Sequence, residues 1–288
     1  MNKILTVGIV GAGTMGRGIA HACAASGLKV ILFDSFESVL KSSIGTLRKD
    51  YAVLEAKGII TDIERKNREA NVTTASTLSA LRNVDLVIEA VPELLELKVK
   101  VLADIEANVA ETTIIASNTS SIPITRLAAA LSRPGRFLGV HFFNPAQRMP
   151  LVEIIHTLKT DQDVAVSLEE FVTDQLGKTA IVIPDRPGFV VNALLVPYLL
   201  SAIRMIDSGY ADADQVDAGM RLGAGHPMGP LALSDLIGLD TLCQVADALH
   251  SETSDPSAVV PNNLRRMVEA GQLGRKSGKG FFPYPVAG

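Results

Sequence analysis

The segment that most restricts what this chain can fold into is Gly11-Ala12-Gly13-Thr14-Met15-Gly16, because of what stands on either side of it. Before it runs Leu5-Thr6-Val7-Gly8-Ile9-Val10, a short apolar stretch of the kind buried as a strand; after it, residues 14–26 follow a helical pattern. In a strand-turn-helix setting each glycine has a reason. Gly11 permits the tight turn, Gly13 lets the backbone come close to a diphosphate, and Gly16 lets the helix pack tightly on the strand. Thr14 and Met15 then open a helix whose free N–H groups face the phosphates. A second strand-like run, Val30-Ile31-Leu32-Phe33, ends on Asp34, at the spacing expected of a carboxylate that accepts from two ribose hydroxyls. That carboxylate would repel a 2′-phosphate, and Ser35-Phe36-Glu37 bring no arginine to offset it. NAD is therefore the expected cofactor, rather than NADP.

Further runs at Asp85-Leu86-Val87-Ile88 and Thr113-Ile114-Ile115-Ala116 alternate with helical patterns over 37–57, 93–110 and 122–131. The strand runs are apolar on both faces, as parallel strands covered by helices are. This alternation predicts an α/β, Rossmann-type doubly wound, mainly parallel sheet. Segments 136–143, 151–157 and 179–184 extend it with less helix between them. Pro184-Asp185-Arg186-Pro187-Gly188 then marks a boundary. Residues 1–186 are expected to form the nucleotide-binding domain, and 187–288 an all-helical C-terminal domain with helices over 189–208, 212–222, 229–250 and 261–271. The first of these helices is apolar nearly all round and is expected to be buried on every side. A homodimer interface would do that; burial against the first domain alone is the other solution.

Composition narrows the partners. At 47% hydrophobic and 20% charged residues, the 288-residue chain has the make-up of an ordinary soluble protein. A formal charge of -4 with no block of Lys or Arg speaks against nucleic acid. The longest apolar stretch, 189–203, is interrupted by Asn192, Pro197, Tyr198 and Ser201 and falls short of a membrane span. The first residues lead straight into a strand, which leaves no room for a signal peptide, and Cys23 and Cys243 have neither metal nor redox spacing. Reduced thiols, a cytoplasmic location and no metal site are expected.

His141-Phe142-Phe143-Asn144-Pro145, with Glu153 twelve positions on, indicates chemistry. A histidine whose far nitrogen is fixed by a carboxylate has a defined tautomer and serves as a proton-transfer group. His141 ends one strand run and Glu153 lies in the next, so adjacent strands could join them. Together with Ser117-Asn118-Thr119-Ser120-Ser121, Gly188-Phe189-Val190-Val191-Asn192, Gly225-His226-Pro227-Met228-Gly229-Pro230 and Gly274-Arg275-Lys276-Ser277-Gly278-Lys279-Gly280-Phe281, this segment strongly resembles the 3-hydroxyacyl-CoA dehydrogenase family, and most of all its stand-alone bacterial 3-hydroxybutyryl-CoA dehydrogenases.

The resemblance spans the chain and implies roles. His141 would be the general base and Glu153 its orienting partner. Ser120 would hydrogen-bond the reacting oxygen near the cofactor, and Asn192 would help hold the substrate. Asn144 would contact the nicotinamide side, Glu93 and Lys98 would lie near the cofactor ribose and nicotinamide, and Lys276 would touch the cofactor from the tail. Lys57 lines up with a lysine that binds the phosphates of CoA. Two features depart from the family pattern: Asp50, where a small polar residue is common, and Pro150, where a lysine is common. The residues alone leave other readings beside these. Ser120 could cap a helix entered at Pro123, Asn192 could serve an interdomain bond, and Lys276 could belong to a solvated basic tail. The implied activity is NAD-dependent oxidation of a (3S)-3-hydroxyacyl-CoA. Beside it stand a related dehydrogenase acting on an acyl group bound to acyl carrier protein or on a free hydroxy acid, and a non-catalytic, crystallin-like NAD-binding protein.

Overall fold

The computed structural model describes residues 3–285. The chain divides into two compact units, Met1–Arg186 and Pro187–Gly288. In the first, eight strands form one sheet: β1 (Thr6–Val10), β2 (Lys29–Phe33), β3 (Val72–Ala75), β4 (Leu86–Glu89), β5 (Ile114–Ser117), β6 (Phe137–Phe142), β7 (Leu151–His156) and β8 (Thr179–Pro184). Their order is β3-β2-β1-β4-β5-β6-β7-β8, and every ladder is parallel except β6–β7. β1 thus has β2 on one side and β4 on the other. The loops leaving β1 and β4 diverge there, which makes the carboxyl edge of these strands the place for a ligand.

Helices α1 (Thr14–Ala25), α2 (Glu37–Ala56), α3 (Asp62–Ala70), α4 (Leu95–Asn108), α5 (Ile124–Ala128) and α6 (Gln162–Glu170) connect these strands. The core includes Ile9, Ile19, Leu32, Ile88, Leu138 and Phe171, all without exposed surface. Three elements lie outside the sequence expectation: α3, β3, and α6, which continues into a π turn at Phe171–Gln175. None of the nine residues of α3 is buried. It is held instead by a capping box between Thr61 and Glu64 and by Arg65, which pairs with Asp62, Glu69 and Glu55, so it has no apolar stripe to read.

The second unit comprises α7 (Val191–Asp207), α8 (Ala213–Gly223), α9 (Pro230–Ile237), α10 (Leu239–Thr253) and α11 (Asn262–Glu269) around Leu199, Leu200, Ile203, Leu231, Leu242 and Leu264. The single helix expected over 229–250 breaks into α9 and α10 at Gly238, whose φ of 100° is closed to other residues at little strain. The first of these helices is only partly covered within the single chain. α7 buries Val196, Leu199, Leu200, Ala202 and Ile203 but leaves Leu194 72% exposed. Two buried carboxylates organise the remainder. Asp217 accepts from the backbone of Leu231 and Ala232 at the start of α9, and Asp235 accepts from Phe281, Phe282 and the Tyr284 hydroxyl, fastening the last described segment. Among the described residues no helix is long and apolar enough to cross a membrane.

Candidate active site

The glycine turn leaves β1 at the sheet's carboxyl edge. Gly11 adopts φ +102°, and a Cβ there would lie 2.6 Å from the Ala90 carbonyl oxygen. At Gly16 a Cβ would meet the Gly11 carbonyl itself, so the third glycine is required for the helix to sit over the turn. Gly13 differs: a Cβ would meet nothing within 4 Å, and α1 begins there with no side chain capping its N–H groups. That open face, with exposed Gly13 and Thr14 and half-buried Met15, fits a diphosphate. Asp34 ends β2 and braces the turn, its Oδ2 accepting from Ala12 N at 2.8 Å and its Oδ1 from Phe36 N at 3.0 Å. Ser43 of α2 donates to the Ala12 carbonyl from the other side. A carboxylate has about four acceptor positions, so Asp34 retains capacity for ribose hydroxyls. The residues fit NAD.

Three strands along, β6 and β7 run antiparallel with His141 directly opposite Glu153. Side chains opposite each other in such a ladder share a face. His141 Nδ1 and Glu153 Oε2 are accordingly 2.7 Å apart, with the histidine 6% exposed and the glutamate fully buried. An ionised carboxylate only accepts, so Nδ1 carries the proton and Nε2 keeps its lone pair. Phe143 packs on the imidazole, ring centroids 4.4 Å apart. Asn118 Oδ1 accepts from Phe142 N, tying the loop after β5 to the end of β6.

The loop after β5 carries Ser120. Capping is not its role: Pro123 stands at the N-cap of α5, and no side chain caps the helix. Glu93, in the loop after β4, reaches across, and its Oε1 lies 2.6 Å from Thr119 Oγ1 and 2.9 Å from Ser120 N. Partial burial pushes the Glu93 carboxyl up, but Lys98 and the hydroxyl and N–H donors outweigh it and hold the group below the usual carboxylate range. Lys98 lies beneath Glu93: its side chain has no exposed surface and its ammonium is taken up by Glu89 Oε1 at 2.7 Å, Glu93 Oε2 at 3.4 Å and the Val91 carbonyl.

The remaining candidates are spread more widely. Asn144, joined to Pro145 by a cis peptide bond, lines a cavity of about 220 Å³ together with Thr14, Arg17, His21, Asp50 and Gln147. His21 is 8% exposed, and its Nδ1 has no hydrogen-bond partner among the described residues. Burial lowers its pKa, with Asp50 opposing. Lys57 caps the C-terminus of α2 and is exposed. In the second unit Asn192 stands half-buried in the first turn of α7, and His226 meets the Tyr198 hydroxyl at 3.1 Å. Lys276 is no loose tail residue, because Asp240 holds its ammonium at 2.6 Å. The structure therefore gathers the glycine turn, Asp34, Glu93, Ser120, His141 and Glu153 on strands and loops of one sheet edge. It also adds Glu89, Ser43 and, from the Ser117–Ser121 segment, Asn118 and Thr119, for which the sequence alone indicates no individual role.

A doubly wound sheet with this turn and this acid after the second strand, followed in sequence by a helical unit, is the architecture of an NAD-dependent dehydrogenase. The chain belongs to the 3-hydroxyacyl-CoA dehydrogenase family: the model of that family's NAD binding domain matches residues 6–186, and the model of its C-terminal domain matches residues 188–284. It is 47% identical over 284 residues to a 3-hydroxybutyryl-CoA dehydrogenase of Mycobacterium tuberculosis, covering 98% of this chain and 99% of the relative. A 3-hydroxybutyryl-CoA dehydrogenase of Bradyrhizobium diazoefficiens is 42% identical over 281 residues, 98% of this chain and 96% of its own. Among solved structures, M. tuberculosis FadB2 superposes with a TM-score of 0.97 at 46% identity, covering 99% of this chain and all of that one. The (S)-3-hydroxybutyryl-CoA dehydrogenase PaaH1 of Ralstonia eutropha gives 0.94 at 44% identity, covering 98% of this chain and all of that one.

Proposed function

We propose that this chain reversibly oxidises (3S)-3-hydroxyacyl-CoA, with 3-hydroxybutyryl-CoA as its short-chain substrate, to the 3-ketoacyl thioester. The observation that carries the reading is the His141–Glu153 pair, which leaves Nε2 as a base at the edge where the glycine turn and Asp34 prepare a nucleotide site. NAD, when bound, accepts the hydride leaving C3. His141 takes the hydroxyl proton, and Glu153 stabilises the imidazolium that results. Ser120 donates to the substrate oxygen as negative charge builds on it, a contribution that typically costs about 10²-fold or more when one donor is lost. Asn192 holds the substrate from the helical unit, Asn144 serves the nicotinamide side, and Lys57 meets the CoA phosphates. The names of the relatives above, which cover nearly the whole chain, support the choice of substrate. The same reading takes the protein to act in the cytoplasm as a homodimer joined through the helical unit.

One observation favours a second reading. Asp50 places a carboxylate at the cavity beside the glycine turn, where it would oppose the several phosphate charges of CoA more strongly than the single phosphodiester of an acyl carrier arm. Formation of NADH from 3-hydroxybutyryl-CoA, longer 3-hydroxyacyl-CoA thioesters, the carrier-bound acyl group and free 3-hydroxybutyrate separates the two. The CoA thioester of four carbons is expected to give the highest kcat/KM. A higher value for the carrier-bound or free acid would overturn the choice of CoA, and no NADH from any thioester would overturn the enzyme reading of the site.

A further inference from the structure

The loop that carries Ser120 is wrapped around a single carboxylate oxygen. Glu93 Oε1 lies 2.6 Å from Thr119 Oγ1, 2.9 Å from Ser120 N, 3.0 Å from both Ser121 N and Ser121 Oγ, and 3.4 Å from Ser120 Oγ. Three consecutive residues therefore take their position from one atom. The contact to the Ser120 hydroxyl is the longest of the five, so the shorter hold of Glu93 on this residue is through its backbone N–H.

Glu93 is itself held from below. Its Oε2 faces Lys98 Nζ at 3.4 Å, and that ammonium spends its other donors on Glu89 Oε1 at 2.7 Å and on the Val91 carbonyl at 3.3 Å. Glu89 in turn accepts from Val91 N at 2.7 Å and from Ser117 Oγ at 2.6 Å, which links the ends of β4 and β5. Lys98 and Glu89 both have no exposed side-chain surface. A buried ion pair of this kind contributes little to stability over well-packed apolar residues, because desolvation cancels most of the attraction. What it supplies is direction, since three donors on one ammonium set the place of each acceptor.

We infer that Glu93 is a positioning residue for Ser120, and that the buried Lys98–Glu89 pair holds Glu93 in the geometry this requires. The inference rests on the reading in which Ser120 meets the reacting oxygen. A depressed Glu93 pKa is in keeping with it, because the carboxylate must stay ionised to accept from every donor of the loop. The competing account, in which Glu93 acts by touching the cofactor, predicts a different kinetic signature.

A double-mutant cycle with Ser120→Ala tests it. In the otherwise unchanged enzyme, Glu93→Ala is expected to lower kcat about 10- to 100-fold, the size expected when a group is displaced by a fraction of an ångström to one ångström. The KM for NAD should change by less than about threefold, below half a power of ten in free-energy terms. With Ser120→Ala already present, Glu93→Ala should lower kcat by no more than about twofold, since the group it positions is gone. Glu93→Gln, which keeps an acceptor oxygen, should restore part of kcat. An equal loss in both backgrounds, or a loss confined to the KM for NAD, overturns the inference while leaving the proposed function intact. Full activity of Ser120→Ala alone instead overturns the role of Ser120 in the proposed function, and this inference with it. If Glu93→Ala does not fold, as judged by circular dichroism, the cycle is run with Glu93→Gln against Ser120→Ala and the same two outcomes decide.

Discussion

At His141 the two ring nitrogens have separate duties. Nδ1 is committed to Glu153 inside the sheet and the ring packs on Phe143, so Nε2 is the nitrogen assigned to the chemistry. Replacing the ring by an amide keeps a donor toward Glu153 but removes a group that can take up a proton near neutral pH. His141→Gln is therefore expected to lower kcat about 10²- to 10⁴-fold. The dissociation constant for NADH, followed by its fluorescence, should stay within about twofold, a few tenths of a kcal/mol. Turnover near that of the parent enzyme would remove His141 from the mechanism. This pair could be read in the sequence because both residues lie in recognisable strand runs and the register does the rest. Glu89, Thr119 and Asn118 could not. Ser117 meets Glu89 across 28 positions as its register partner on the neighbouring strand, and Phe142 meets Asn118 across 24, distances that no local spacing rule spans. The partners of Lys98 were equally out of reach of the sequence, since only the structure shows its ammonium between two carboxylates.

The glycine turn shows how one element divides structural from functional demands. Gly16 has no room for a Cβ because the Gly11 carbonyl occupies the place, whereas Gly13 has open space and a φ of -66° that alanine adopts without strain. Gly13→Ala is thus expected to unfold within about 2 °C of the parent, since it alters nothing packed in the structure. It should nevertheless bind NAD about tenfold or more weakly, because the added methyl stands where the diphosphate must approach. Gly16→Ala should lose both stability and NAD affinity. Differential scanning fluorimetry together with NAD titration checks the contrast, and unchanged affinity in Gly13→Ala would move the diphosphate elsewhere. Elements with an apolar reason to exist were legible in advance. Those held by other means were not: α3 rests on a capping box and ion pairs, β3 is a four-residue strand with Thr73 and Thr74 exposed at the end of the sheet, and α6 loses its helical period into a π turn. The break at Gly238 was hidden because apolar periodicity carries on from α9 into α10 across it.

For the whole molecule, the outstanding quantity is apolar surface on the helical unit. Leu194 on α7 is 72% exposed, Leu222 on α8 is 83% exposed, Tyr210 between them in the chain is 81% exposed, and Leu236 on α9 is 50% exposed. Single exposed leucines are ordinary on a protein surface, and these residues on the helical unit are the ones that the proposed homodimer would cover. A second copy is the simplest cover, since most oligomers of one chain are two-fold symmetric. Symmetry then sets the test. A charge introduced at one position in a two-fold interface enters it twice, and burying an unpartnered carboxylate costs several kcal/mol each time. Light scattering of the intact protein is expected to give twice the chain mass, and Leu222→Glu is expected to shift the population to single chains with the helical content unchanged. Leu222 lies at the far end of α8, away from the glycine turn, His141 and Glu153 in sequence, so NADH binding should survive in the variant. A single-chain mass for the parent protein would mean that the exposed helix faces serve something other than self-association.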